Sequence, residues 1–516
     1  MRRLLAVLLA ALMVLGAVPA LAEATEAELT FVVADEVTGT DIQMITWENL
    51  VHALIYAPLV LMDDTNTQLT PNMVSAVSVE NDGKDIVFTI PEGICFSNGD
   101  PVTAEAVAAN FERYCKVSVY ASDLDPVAGI EAKDGTVIFH CDKAAPYLWA
   151  MLVSSYSGVD DVAAIAEGGD DQFNLAAVTY GPYAVSEWTQ GQQIVLTRNE
   201  NYKSFNPSSA NKGPAYPAKI TIRFISDDYT RVNELLSGSV DYIDAVPAAN
   251  LSELESAPGV VLAHTMQPGC DYLLLNTQDP VLADYNVRLA IAKGINRQEL
   301  CAAQDDTIIP ADGFLTPAQI GYSADSAAEL AAKYAYDPEG AKKLLADAGW
   351  ADSDGDGILD KDGVKLSFEY LVATDYTALK NAAPVIQYQL KQIGVDMVVS
   401  ELEGSAIKAK AKEGNYQIAM RKYAWADADM LTNLFGTSSG YYSDPTIDQL
   451  LDEGRYITDG SQRAAKYAEA QDVIFERLPG IPLFYELQYS AYSDKLQGLR
   501  FSSTGNFIVD DLYKAE

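Results

Sequence analysis

The chain has 516 residues, of which 49% are hydrophobic, so two or three domains with sizeable cores are expected and a disordered chain is excluded. Its 35 basic residues are outnumbered by 73 acidic ones, which gives a formal net charge of −38. This charge repels nucleic acid and anionic membranes and excludes both as partners. The negative charge is compatible with cationic ligands, but a solvated acidic surface accounts for most of the acidic excess.

The first 22 residues have the pattern of a secretory signal peptide. Arg2 and Arg3 precede an apolar run from Leu4 to Val18, and Ala20 and Ala22 supply the small residues that a signal peptidase recognises. The run is shorter than the roughly 20 residues of a membrane-spanning helix, which favours cleavage over anchoring. We therefore expect an exported protein at the periplasmic or extracellular face of the envelope. No cysteine adjoins the cleavage site for attachment of a lipid.

The five cysteines are widely spaced, odd in number and without a C-x-x-C pattern. Buried free thiols are the main prediction, and one disulfide stays open as an alternative. The cysteines are Cys95, Cys115, Cys141, Cys270 and Cys301.

The N-terminal region predicts a strand at Leu29–Ala34 and a helix around Trp47–Tyr56. The segment 86–114 begins with alternating apolar and polar residues, which indicate a strand. Asn98-Gly99 then predicts a turn, and Thr103 is a suitable N-cap for a following amphipathic helix.

The central region predicts three strands, GPYAVSEW, QQIVLTRN and AKITIRFI, within 181–226. Helical patterns follow at 228–237, 284–303 and 337–348, and Gly349 stands at the C-cap of the last.

The later region predicts the strand FEYLVA, a helix over about 377–393 that Gly394 ends, and the strand VDMVVS. Alternating strands and helices indicate an α/β lobe.

Four stretches, in this order behind a signal peptide, resemble the peptide and nickel solute-binding family of ABC importers. The resemblance covers nearly the whole mature chain and continues through 336–350 and 478–486. The four stretches are IPEGICFSNGDPVTAEAVAANFER (90–113), YGPYAVSEWTQGQQIVLTRNENY (180–202), ITIRFISDDYTRVNELLSGSVDYID (220–244) and YLLLNTQDPVLADYNVRLAIAKGINRQEL (272–300).

The resemblance implies an α/β, bilobal periplasmic-binding-protein fold with an extra subdomain inserted in the first lobe. The lobes would close on a ligand like a hinged clamp, with chain crossings near 272–276 and 479–485. The implied divisions are the signal peptide 1–22, first-lobe parts 23–59, 171–267 and 481–516, an inserted subdomain 60–170 and a second lobe 268–480.

The implied function is capture of a small peptide between the lobes and delivery to the permease subunits of an ABC transporter, by a monomer that is not an enzyme. Two alternatives stay open: a non-peptide solute such as an oligosaccharide or a metal chelate, and a secreted hydrolase. Against catalysis, the three histidines, His52, His140 and His264, are scattered, and no G-x-S-x-G, P-loop or H-E-x-x-H motif occurs.

The segment 421–435 is the main candidate for ligand contact, because a peptide zwitterion needs a carboxylate, a cation and aromatic walls. Arg421, Tyr423, Trp425, Asp427 and Asp429 lie within nine positions. Relatives hold the ligand's ammonium with an Asp shortly after a Trp, which implies Asp427, with Asp429 in reserve. The family pattern W-x-x-D-x-x-D-P is shortened here and lacks its Pro, so a solvated acidic loop is the alternative.

Three further residues are candidates by position in the family pattern. Tyr180 stands where relatives have a small polar residue and would either narrow the pocket or pack in the core. Tyr272 falls at the expected lobe crossing. Thr40, within 38–41, falls where relatives place first-lobe main-chain contacts to the ligand.

The stretch DSDGDGILDKDG (352–363) resembles a calcium loop. Asp352, Asp354 and Asp356 occupy positions one, three and five, with Gly357 at six. Gly363 replaces the bidentate Glu at position twelve, so a plain β-turn is the main interpretation and weak calcium binding the alternative. No other cofactor is expected.

The mature protein should begin at Glu23, because Ala20 and Ala22 flank Leu21 at the end of the apolar run. N-terminal sequencing of exported material checks this. Recovery of an intact Met1 from the envelope would mean that the segment anchors the protein.

Overall fold

The computed structural model describes residues 26–304 and 307–515, so the predicted signal peptide and Glu23 lie outside the described residues. The described chain forms two compact units, the first from 26–265 and 489–515 and the second from 266–488. The strands from the N-terminal side up to the point where the chain first passes between the units are β1 (Glu28–Val33), β2 (Val60–Met62), β3 (Leu69–Pro71), β4 (Ala76–Glu80), β5 (Asp85–Thr89), β6 (Val127–Lys133), β7 (Thr136–Cys141), β8 (Tyr183–Thr189), β9 (Gln193–Arg198), β10 (Lys219–Phe224), β11 (Tyr242–Ile243) and β12 (Val260–Met266).

The main sheet of the first unit has the order β11-β1-β10-β9-β8. Strand β1 is parallel to β10 and β11, and β9 is antiparallel to both β10 and β8. Phe31 and Val33 of β1 are buried beside Ile220 and Ile222 of β10, as expected for strands that face a core. The helices of this unit are α1 (Leu50–Ile55), α2 (Ala104–Val117), α3 (Trp149–Leu152), α4 (Val162–Gly168), α5 (Asp170–Phe173), α6 (Asp228–Leu236) and α7 (Leu251–Ser256).

A separate antiparallel sheet, in the order β4-β5-β7-β6, lies within the range predicted as an insertion. Helix α2 covers it through Phe111, whose ring centroid is 4.9 Å from that of Phe139. The predicted Thr103 cap is confirmed, since its hydroxyl accepts from the backbone N–H of Ala106 at 3.2 Å.

The strands of the second unit are β13 (Gly269–Leu275), β14 (Ile308–Pro310), β15 (Asp360–Lys361), β16 (Val364–Lys365), β17 (Ser367–Ala373), β18 (Asp396–Leu402), β19 (Ile418–Ala424) and β20 (Gly480–Ser493).

The sheet of the second unit runs β18-β17-β19-β13, followed by the first part of β20. Strand β17 is parallel to β18 and β19, whereas β13 is antiparallel to β19 and β20. Its helices are α8 (Tyr285–Gly294), α9 (Arg297–Ala302), α10 (Ala324–Lys333), α11 (Pro338–Asp347), α12 (Thr377–Lys391), α13 (Gly404–Lys412), α14 (Met430–Phe435), α15 (Pro445–Arg455) and α16 (Gly460–Arg477).

The single helix predicted over 284–303 is two helices, α8 and α9. The break falls where the side chain of Asn296 accepts from the backbone N–H of Glu299 at 3.1 Å and so caps α9. Asparagine caps helices well because its side chain competes with the helical backbone bond. The remaining predicted elements occur, with ends shifted by a few residues.

The crossings between the units fall at 265/266 and 488/489, two residues before and eight residues after the expected 267/268 and 480/481. The later position follows from β20, which continues as one strand of 14 residues. Near the end of this strand, Ala491 and Tyr492 pair with β11 in the first unit. The C-terminal strands are β21 (Leu496–Gln497), β22 (Arg500–Phe501), β23 (Phe507–Ile508) and β24 (Tyr513–Lys514).

None of the helices in the described ranges combines the length and the hydropathy that a membrane crossing requires.

Gly181 of the GPY motif lies against the backbone of α1. A Cβ at this position would stand 2.1 Å from the carbonyl oxygen of Ile55, a backbone atom that cannot move alone. We expect Gly181→Ala to lower the free energy of unfolding by about 1–3 kcal/mol. Urea unfolding measures this, with Gly168→Ala as the control because its Cβ has room. Equal stability of the two variants would contradict the close approach.

Candidate functional site

Asp427, the expected ligand anchor, lies in the core of the second unit. It has no exposed surface, and Arg463 of α16, equally buried, donates to both of its carboxylate oxygens at 2.7 Å. The backbone N–H of Asp429 donates to the same carboxylate at 2.8 Å. A ligand ammonium would have to displace a buried guanidinium, so the geometry favours a structural role for Asp427 and not the expected anchoring role.

Asp429, the reserve anchor, is also occupied by protein groups. The hydroxyls of Tyr467 and Thr432 donate to its carboxylate at 3.2 Å and 3.0 Å, and Arg455 Nε lies 3.6 Å away. Burial, with the charge of Asp427 as a lesser cause, raises the pKa of Asp429, although Arg455 opposes this. Because the loop after β19 turns inward onto α16, both acids are buried and paired within the protein, which favours structural roles over a solvated loop.

Tyr180, Tyr272 and Thr40 are fully buried. The Tyr180 hydroxyl donates to the carbonyl of Lys203 at 2.6 Å, and its ring packs on Tyr202. These contacts match the alternative in which Tyr180 packs in the core. Tyr272 packs edge-on against the rings of Phe314 and Phe435 in the core of the second unit.

Thr40 holds the loop that follows β1 to the segment after α5. Its hydroxyl donates to the carbonyl of Asn174 at 3.1 Å and accepts from the N–H of Ala177 at 2.9 Å. Its hydroxyl is therefore engaged by the protein itself.

Arg421 and Tyr423, by contrast, line an open groove of about 510 Å³ within the second unit, here called the basic groove. Trp425 does not line it. The backbone N–H of Trp425 donates to the carbonyl of Pro268 at 2.8 Å, and its ring packs on the core of the second unit. The lining of the groove includes residues of α13 and β19, together with Asn433, Ser438, Ser439 and Tyr441.

The basic groove adjoins the carboxyl ends of parallel strands. Ala373, the last residue of β17, and Gly404 and Ser405, which follow β18, all line it. Open α/β sheets bind ligands outside the carboxyl ends of their strands, because the chain leaves each strand there in a loop that frames a crevice. The fold therefore places the groove at a preferred position for ligand binding.

Arg421 is the best-placed cation for a ligand in this groove. Its guanidinium carbon lies 4.6 Å from the centroid of the Tyr441 ring, which holds the side chain in position. Its Nη1 atom is buried and has no hydrogen-bond partner among the described residues. A buried donor without a partner is costly, and a ligand carboxylate would satisfy it.

A second cavity, of about 380 Å³ and here called the acidic cavity, adjoins the basic groove, and Tyr376 and Lys422 line both. Asp375 and Glu486 line the acidic cavity, and Lys422 forms an ion pair with Glu486. Next to this pair, Asp271 is buried, and its Oδ1 has no hydrogen-bond partner among the described residues. Burial, and then the charge of Glu486, raise the pKa of Asp271 well above its ordinary value.

The sequence interpretation missed most of this lining because it followed the Trp-Asp motif. The available signal was the run of alternating lysines at 408–412 in an otherwise acidic chain. Tyr376, Asp375 and Glu486 carry no local signal, because only the fold brings these loop and strand positions together.

The predicted calcium stretch holds three exposed carboxylates, of Asp352, Asp354 and Asp356, with ligand atoms within 4.8 Å of one another. Lys365 Nζ lies 2.7 Å from Asp354 and 2.9 Å from Asp356, so an ammonium supplies the positive charge there. The end of the stretch forms β15 and the turn of the β15–β16 hairpin, as the turn interpretation predicts. Calcium binding stays a prediction.

Comparison with known families matches residues 68–443, well over half of the chain, to the model for "Bacterial extracellular solute-binding proteins, family 5 Middle". The chain is 25% identical over 350 residues to the oligopeptide-binding protein AppA of Bacillus subtilis, covering 65% of this chain and 62% of AppA. It is 24% identical over 461 residues to the probable D,D-dipeptide-binding periplasmic protein DdpA of Escherichia coli, covering 85% and 84%.

The fold is similar to that of HbpA2 from Haemophilus parasuis, with a TM-score of 0.81 at 20% identity over 93% of this chain and 98% of that one. Together with the family match, this defines the bilobal periplasmic-binding-protein class predicted from the sequence. The chain belongs to family 5 of the bacterial extracellular solute-binding proteins.

We expect Asp427→Asn to destabilise the fold by about 3–5 kcal/mol, because it strands the buried charge of Arg463. Urea unfolding of the ligand-free protein measures this. Asp452→Asn, at an exposed position of α15, is the matched control and should change stability by less than about 0.5 kcal/mol. A variant as stable as wild type that loses only ligand affinity would restore the anchoring role.

Proposed function

We propose that this protein captures a small peptide for an ABC importer and that the second unit recognises both charged ends of the peptide. The observation that carries the proposal is the pairing of a groove that presents an unsatisfied Arg421 with an adjoining cavity that presents Asp375 and Glu486. A peptide is a zwitterion with an extended apolar and amide body, which matches separate sites of opposite charge with aromatic walls between them.

The carboxylate end of the peptide belongs at Arg421. A guanidinium binds a carboxylate through two parallel hydrogen bonds, and Nη1 of Arg421 is free to make one of them. Tyr423 and Tyr441 flank this position, and Asn433 donates to the Tyr423 hydroxyl at 2.7 Å, which fixes the wall.

The ammonium end of the peptide belongs in the acidic cavity. Asp375 is exposed there and accepts one bond from the N–H of Gly404 at 3.0 Å, which leaves lone pairs for a ligand. Glu486 is shared with Lys422, and Asp271 lies behind it with an unsatisfied oxygen. An incoming cation would stabilise this cluster, which holds more acids than bases.

Relatives support the biological role. AppA and DdpA are named for binding oligopeptides and D,D-dipeptides. We infer that this chain is exported, as its family name and signal pattern indicate, and passes its peptide to membrane permease subunits. We also infer a binding role without turnover.

The test begins with mass spectrometry of the ligand that co-purifies with the protein. Calorimetry then compares the free acid of that ligand with its carboxamide on wild type and Arg421→Gln. We expect the variant to lose about 2–5 kcal/mol of binding to the free acid and little to the carboxamide, because only the former has the charge that Arg421 binds. Arg477→Gln, which breaks a pair with Asp444 in the same unit, is the control.

Two outcomes contradict the proposal. A co-purified solute that is not a peptide would exclude peptide capture. Equal losses for the two ligand forms would exclude Arg421 as the carboxylate site.

A further inference from the structure

The basic groove holds more positive charge than one peptide carboxylate requires. Besides Arg421, Lys408 and Lys412 line it, both exposed and four residues apart on α13. Among the described residues, no carboxylate forms an ion pair with either lysine or with Arg421, and none belongs to the groove lining. Three uncompensated cations thus meet in a chain with 73 acidic and 35 basic residues.

Helix electrostatics explain only part of this pattern. Lysines in the last turn of a helix interact favourably with its dipole, which accounts for Lys410 and Lys412 of α13. Lys408 lies further from the end, and Lys410 does not line the groove. The two lysines that face the groove are those at the i and i+4 positions, which share one side of a helix.

We propose that the ligand is an acidic peptide whose side-chain carboxylates, two residues apart, pair with Lys408 and Lys412. This proposal rests on the proposed function, which assigns Arg421 to the terminal carboxylate. Once Arg421 is assigned to the terminal carboxylate, the positive charges of Lys408 and Lys412 remain, and they favour a peptide with acidic side chains.

The spacing of the lysines fits this class of ligand. Side chains at i and i+4 on a helix start about 5–6 Å apart. Alternate side chains of an extended peptide point the same way and start roughly 6.6 Å apart, since each residue advances about 3.3 Å. Two acidic residues separated by one residue therefore match the two lysines without strain.

The net negative charge of the protein opposes an acidic ligand only at long range. Exposed charges are screened beyond about 8 Å at physiological salt, whereas an ion pair in the groove acts at about 3–4 Å. The local lysines therefore decide the preference once the peptide has docked.

A synthetic peptide library tests the proposal directly. Protein stripped of ligand by unfolding and refolding is equilibrated with a library of tripeptides to pentapeptides, and bound sequences are read by mass spectrometry. Three forms are compared: wild type, Lys408→Gln/Lys412→Gln, and the control Lys342→Gln/Lys343→Gln. The control removes the same charge from exposed positions of α11 in the same unit.

We expect wild type and the control to enrich Asp and Glu at positions two apart, and the groove variant to lose this enrichment. Calorimetry should show the most enriched peptide binding roughly tenfold more tightly than its glutamine analogue, and this ratio should fall to about twofold in the groove variant. Enrichment without acidic bias, or bias that persists in the groove variant, overturns the acidic-peptide inference alone. Retention of no peptide overturns the proposed function and the inference with it.

Discussion

The buried ion pair between Asp427 and Arg463 is the constraint on which the rest of the second unit depends. Both side chains are fully buried, and two hydrogen bonds of 2.7 Å join them. The pair fixes the turn between β19, which carries Arg421 and Tyr423, and α14, which carries Asn433. Breaking a buried pair is costly because the remaining charge is stranded, so the turn has one stable geometry. A motif that resembles a ligand anchor thereby serves to position the residues that line the groove.

The chemistry of the groove follows from what this arrangement leaves unpaired. Arg421, Lys408 and Lys412 have no carboxylate as an ion-pair partner among the described residues, although acidic residues outnumber basic ones 73 to 35 in the chain. In the acidic cavity, which Tyr376 also lines, Asp375 and Glu486 outnumber the one lysine, Lys422, which pairs with Glu486. The second unit therefore presents a positively charged groove next to a negatively charged cavity, with Tyr376 lining both. A peptide zwitterion is the simplest ligand that matches this pair of charges.

Much of the fold could be predicted because its signals are local. The strand and helix periods, the Thr103 cap and the glycine after α11 act over a few residues, and the family pattern supplied the arrangement of lobes. The site could be predicted only in part. Arg421 and Tyr423 line the groove and so stay candidates for ligand contact, but the environment of Asp427 depends on Arg463, which is 36 residues away on α16. Tyr180, Tyr272 and Thr40 show the same difficulty, since a sequence gives the position of a side chain along the chain and not the surface that covers it.

A crystal structure of the protein with its co-purified ligand would test the account most directly. We expect the ligand's carboxylate to lie within hydrogen-bond distance of Arg421 and its ammonium to lie toward Asp375 and Glu486. Arg463 should still donate to both oxygens of Asp427. An ammonium bound to Asp427, with Arg463 displaced from it, would contradict the central claim that this ion pair is the fixed support of the groove.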